Sequence, residues 1–184
     1  MPAPNEAALW RAVSASESGS QSGFVPPKGG GYQFDLPGIE NLALNPIAGG
    51  IAAGRLTGGN LAVLAGVIGT PFDIETAGCV LFLEDISERA YRIDRYLSQF
   101  KLAGKLSTVA GVLLGDFSYD EGDKADEQKD ILTVFQEYLG PLGVPVLAGF
   151  PAGHERFNLT LPMGAQVRLD ADQRSFTVCE CPTE

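Results

Sequence analysis

Apolar positions along this chain form short unbroken runs that alternate with longer helical stripes. Cys79 to Leu83 is five apolar residues in a row after Gly78, which predicts a strand buried on both faces in the middle of a layered sheet. Two acids, Glu84 and Asp85, end the run. Ser87 then suits a helix N-cap, and Glu88 in the first turn suits the positive end of the helix dipole. The helix is predicted over 87–103. Ala90, Ile93, Leu97 and Phe100 recur at three- and four-residue spacing, Tyr96 and Leu102 widen the stripe, and Gly104 fits the C-terminal cap. Thr108 to Gly115 repeats the first arrangement, an apolar strand followed by an acid, here Asp116.

The flanking segments extend this alternation. Small residues crowd 45–56, and Gly58-Gly59 leads into Asn60, which can cap the short apolar helix that follows. Such a glycine-rich turn can bind an anion, but it lacks the lysine of a P-loop and the spacing of a dinucleotide fingerprint, so close packing is the simpler purpose. A helix is expected over 124–139 and a short strand over 144–150. Residues 159–169 and 174–179, joined by Asp170-Ala171-Asp172-Gln173, read as a hairpin. Strands alternating with helices define an α/β layered domain.

The N-terminal 31 residues differ in kind. Residues 3–13 hold a short helical pattern anchored by Trp10, and 14–31 are rich in Ser, Gly and Pro, a composition that buries too little apolar surface to hold one conformation. We therefore divide the chain into a segment and flexible linker, 1–31, and a domain, 32–184.

Composition narrows the function classes. The chain has 184 residues, enough for one domain with a sizeable core, and its net charge of −10 argues against nucleic-acid or anionic-membrane partners, which call for clustered Lys and Arg. No apolar run approaches the roughly 18 residues of a membrane span, and no signal-peptide pattern opens the chain, so a cytoplasmic protein is expected. Three cysteines, Cys79, Cys179 and Cys181, suit a reducing compartment. Two closely spaced thiols and one distant histidine make a poor metal site, the acids of 119–130 lack the spacing of a calcium loop, and no cofactor is called for.

The candidate chemistry centres on strand ends and on His154, the only histidine. Carboxylates at the carboxyl edge of core strands stand where α/β sheets collect ligands, although solvated acids breaking a strand are the plainer reading. A carboxylate accepting the Nδ1 proton of His154 would fix its tautomer and stabilise the imidazolium formed in base catalysis. Glu84, Asp85 and Asp116 all qualify, and spacing does not choose among them. Arg92 and Arg95 could meet a substrate carboxylate, whereas Glu88 and Arg92 also make an i, i+4 surface pair.

An ordered series of motifs adds to this. Gly58-Gly59-Asn60-Leu61, Gly69-Thr70, Leu81-Phe82-Leu83-Glu84-Asp85-Ile86, Tyr91 to Leu97, Gly115-Asp116-Phe117, Gly153-His154 and Leu161-Pro162-Met163-Gly164 together resemble the C-terminal domain of the LD-carboxypeptidase family, which includes the microcin C immunity peptidases. The resemblance covers about residues 47–169. It implies a layered β/β/α domain of mixed sheet with flanking helices, and a Ser-Glu-His triad whose serine lies on an elbow in an N-terminal domain. The family's glutamate falls on Glu84 and its histidine on His154, leaving Asp85 and Asp116 as neighbours. It further implies removal of the terminal D-alanine from murein tetrapeptides in cytoplasmic cell-wall recycling, and a homodimer. Glu155 departs from the glycine that many relatives carry after the histidine. No Gly-x-Ser-x-Gly occurs, so this chain is expected to be the second half of the enzyme, beginning in the linker and inactive by itself. The rival expectations are a non-catalytic binding or oligomerising domain and a peptidase acting on peptidyl-nucleotides.

Overall fold

A computed structural model of the chain describes residues 32–33, 44–118, 124–154 and 158–179. The N-terminal segment, Cys181 and the acidic stretch 119–123 lie outside the described residues. In chain order the elements are β1 (Tyr32–Gln33), β2 (Asn45–Ala48), β3 (Ile51–Asn60), α1 (Leu61–Val67), β4 (Val80–Ile86), α2 (Ala90–Leu102), β5 (Gly111–Ser118) and α3 (Lys124–Leu139). A 3-10 turn (Gly140–Leu142), β6 (Val146–Ala148), β7 (Gln166–Asp170) and β8 (Ser175–Val178) follow.

The strands form one mixed sheet in the order β1-β8-β7-β3-β4-β5-β6-β2. β3 joins its two halves. Residues 51–55 pair antiparallel with β7, and residues 56–60 pair parallel with β4, so a single ten-residue strand belongs to both. The antiparallel half covers one face of the parallel half. Val80, Phe82 and Leu113 of the parallel strands share a core with Val167, Leu169, Phe176 and Val178 of β7 and β8. On the other face Leu81, Leu83, Val112 and Leu114 pack against the helices, whose Ile93, Leu97, Phe100 and Phe135 are all buried. Each of these helix side chains removes enough apolar area from water to stabilise the fold by about 1.5–3 kcal/mol. The result is the layered β/β/α arrangement expected from the sequence.

Period-two alternation along β4 places the two acids. Val80 and Phe82 face the antiparallel strands and Leu81 and Leu83 face the helices, so Glu84 falls on the first side and Asp85 on the second. Close packing governs Gly58, since a Cβ there would run into the Phe82 carbonyl of the neighbouring strand, whereas Gly59 faces open space and its φ of +149° is what calls for glycine. Asn60 caps α1 as expected, its Oδ1 accepting from Val63 N at 3.0 Å.

Several element boundaries differ from the sequence expectation. The acids do not end β4, which continues through them to Ile86, because both side chains are buried and find hydrogen-bond partners. Ser87 has φ 59° and does not cap the next helix, which begins at Ala90 with Arg89 at the N-cap and no side-chain capping bond. β5 begins three residues later than expected and runs past Asp116 to Ser118. The hairpin is shorter, its strands starting at Gln166 and Ser175, and residues 159–165 form a loop over the sheet edge.

Candidate active site

Glu84 is the last residue but two of β4 and is only 6% exposed. Its Oε2 lies 2.7 Å from Nδ1 of His154, seventy residues away in sequence. With Glu84 ionised, Nδ1 carries the proton and donates, so the tautomer is set and Nε2 is the nitrogen left for a reacting group. The imidazole is about half exposed while its carboxylate partner is buried, so the ring is held from behind with one edge open to solvent.

The segment bearing His154 is pinned to the sheet at successive residues. Phe150 N donates to Leu114 O, Asp116 N donates to Ala152 O, and Leu159 N donates to Pro151 O, all at 2.8–3.0 Å. Phe150 is fully buried and packs edge-on against Phe176 with ring centroids 5.3 Å apart. Gly153 N donates to Asn158 Oδ1 at 3.2 Å. Gly153 has φ +145°, and a Cβ there would meet Asp116 and Glu84 at 2.9–3.2 Å, so both conformation and space call for glycine immediately before the histidine.

Asp85 does different work. Its oxygens accept from Asn60 Nδ2 at 3.0 Å, Ala62 N at 2.9 Å and its neighbour Ile86 N at 2.9 Å, tying β4 to the first turn of α1. Those bonds and the opposite direction of its side chain keep it from His154. Asp116 stands beside Gly153, close to Glu84 but not in the 2.7 Å contact. Arg92 pairs with Glu88 at 3.1 Å, and the Tyr91 hydroxyl, followed by that carboxylate, holds the guanidinium proton more firmly than usual. The carbon of the Arg95 guanidinium is 5.9 Å from the Tyr91 ring centroid. Both arginines belong to α2, which packs on the sheet face opposite Glu84. Burial, followed by Glu88, pushes the nearby Tyr96 phenol up.

A hollow of about 330 Å³ opens beside Glu84 and the residues that precede His154. Phe82 and Glu84 form its floor, Ala152 and Gly153 one wall, and the loop bearing Asn158, Thr160, Leu161 and Met163 the other. Sequence reasoning missed Asn158 and Thr160. The one available signal was a run of polar residues alternating with leucines after His154, and it does not distinguish a pocket wall from a solvated loop. Among the described residues no group of three or more His, Cys, Asp or Glu side chains gathers as metal ligands, and no described helix is long and apolar enough to cross a membrane.

Known proteins share this sequence and fold. The model of the LD-carboxypeptidase C-terminal domain matches residues 53–169. A probable murein peptide carboxypeptidase of Bacillus subtilis is 38% identical over 135 residues, covering 73% of this chain and 42% of the relative. The microcin C7 self-immunity protein MccF of Escherichia coli is 33% identical over 132 residues, 71% of this chain and 38% of the relative. Among solved structures, a muramoyltetrapeptide carboxypeptidase from Oxalobacter formigenes has TM-score 0.63 at 30% identity, covering 74% of this chain and 48% of that one. The chain thus spans less than half the length of these relatives. It belongs to the LD-carboxypeptidase family and carries that family's C-terminal domain.

Proposed function

We propose that this chain is the half of a serine-type LD-carboxypeptidase that supplies glutamate and histidine to a Ser-Glu-His triad. The observation that carries the reading is the 2.7 Å contact between Glu84 Oε2 and His154 Nδ1, beside a hollow that Glu84 lines. A serine from the family's N-terminal domain attacks the carbonyl of the scissile amide. His154 Nε2 takes the serine proton and returns it to the leaving amine, while Glu84 holds the ring and stabilises its cation. Water then repeats the sequence on the acyl-enzyme and restores the serine.

The substrate is a murein tetrapeptide, a reading supported by the murein and muramoyltetrapeptide carboxypeptidases among the relatives; the leaving group is its terminal D-alanine and the setting cytoplasmic peptidoglycan recycling. The working enzyme is a homodimer of two-domain subunits. A peptidyl-nucleotide substrate is the second reading, favoured by the 33% identity to MccF.

The test is release of D-alanine from a murein tetrapeptide. The 184-residue chain alone is expected to be inactive, because triad members act as a unit. The same domain joined to the family's nucleophile domain is expected to be active, and to lose that activity with Glu84→Gln or His154→Ala. Turnover by the chain alone, or full activity in either variant, would overturn the proposal.

A further inference from the structure

The strand next to Glu84 is irregular at one point. Between the pairs Leu83 with Leu114 and Asp85 with Phe117, β4 contributes one residue, Glu84, and β5 contributes two, Gly115 and Asp116. Such a bulge breaks the alternation of side chains and re-aims one of them. Leu114 and Phe117 both pack on the helix side, Phe117 edge-on to Phe135 at 4.7 Å. In regular alternation Asp116 would share the face of Leu114 and Phe117 would not. The bulge instead turns Asp116 to the face of Glu84 and His154. Its Cβ and Oδ2 come within 2.9 and 3.1 Å of the position a Cβ would take on Gly153, and Glu84 Oε2 comes within 3.2 Å of the same point.

We propose that Asp116 is a positioning residue for the Glu84 and His154 pair, acting through a second negative charge that the β5 bulge sets beside the dyad. Two carboxylates flanking Gly153 attract the protonated imidazole more strongly than Glu84 alone, and each makes the charge of the other costlier. The proton taken from a nucleophile is therefore held more firmly until it passes to the leaving amine. Among the described residues, β4 presents Glu84 to this place, β5 presents Asp116, and the wall loop presents the uncharged Asn158 and Thr160. Glu155 and Arg156 follow His154 in sequence and lie outside the described residues.

The catalytic consequence rests on the proposed function, but the electrostatic link does not. His154 is the only histidine, so its Cε1 proton can be followed by NMR through a pH titration of this chain without assignment ambiguity. Asp116→Asn is expected to lower the titration midpoint by about half a unit or more, and Asp116→Glu, which keeps the charge, to hold it within about 0.2 unit of the parent. Asp116→Ser, smaller and equally neutral, gives the same reading should the asparagine variant not fold. An unchanged midpoint in a neutral variant whose melting temperature stays within about 2 °C of the parent overturns the proposal. In the two-domain enzyme the acid limb of kcat/KM is expected to move to lower pH by the same amount with KM unchanged. If the function were wrong the activity arm would fail while the NMR midpoints still decided the role of Asp116.

Discussion

Glu84 and Asp85 are neighbours in one strand, carry the same functional group and are almost equally buried, at 6% and 4% exposure, yet they belong to different parts of the protein. Glu84 has a histidine from a distant rim as its partner, on a face that opens into a hollow. Asp85 has two backbone amides and the Asn60 amide, on a face closed by α1. The lesson is that burial of a carboxylate says little about its role; the nature of its donors says more. Backbone amides and a cap residue cannot change protonation or move a proton, so Asp85 stabilises. An imidazole can do both, which is why the proposed chemistry falls to Glu84 and not to Asp85.

The sharpest way to break this contrast is to neutralise each acid in turn. Glu84→Gln in a two-domain enzyme is expected to lower kcat about 10³- to 10⁴-fold while the melting temperature changes by only a few degrees, and His154→Ala should add little once Glu84 is gone. Steady-state kinetics with thermal unfolding on the same samples checks it, and an equal loss of stability would erase the distinction. Asp85→Ala should act the opposite way. It strands the Asn60 and Ala62 donors and is expected to cost about 2–4 kcal/mol, read as a fall of about 5–10 °C in melting temperature. Asn60→Ala comes next, at about 1 kcal/mol for the lost cap. Since Asn60 and Asp85 share a bond, the double variant should cost less than the sum, which a double-mutant cycle of denaturant unfolding would register.

The smallest effect concerns pH and lies away from the site. Asp73 accepts from Gly69 N at 3.0 Å and pairs with Lys105 at 3.0 Å, and these hold its carboxyl below the usual range. Glu75 is held low by the amides of Ala77 and Thr76. A depressed folded value means that each group stabilises the fold above the ordinary carboxylate range near pH 4 and loses that contribution as pH falls through its lower folded value. Asp73→Asn should therefore flatten the dependence of melting temperature on pH between about 5 and 3 relative to the parent, a titration by calorimetry that would also show whether acid sensitivity resides in this loop rather than at Glu84.

Much of the fold was legible because it depends on local pattern. The apolar run of β4, the stripe of Ile93, Leu97 and Phe100, and the cap at Asn60 each follow from residues a few positions apart, and the structure places them as the patterns say. The strand boundaries were less legible. Nothing near Glu84 and Asp85 in sequence announces the distant hydrogen-bond partners that let β4 run on through them, and nothing near Asp116 announces a bulge that depends on register with the neighbouring strand. Of the candidate site, residue types left Glu84, Asp85 and Asp116 equally open as partners of His154, and only the family resemblance singled out Glu84.

The sequence by itself determined the apolar strand β4, the helix packed on it, the α/β layering, and that its one histidine follows a strand at a glycine; it did not announce β3, whose small residues carry no strand pattern. Residue types left open which acid that histidine meets, and tertiary structure shows it to be Glu84, the acid the family resemblance had marked. The choice turns on the direction of a side chain from a twisted strand, on one extra residue in the next strand, and on a histidine seventy residues away in sequence being pinned to the same edge, and these are relations across space that no local pattern encodes.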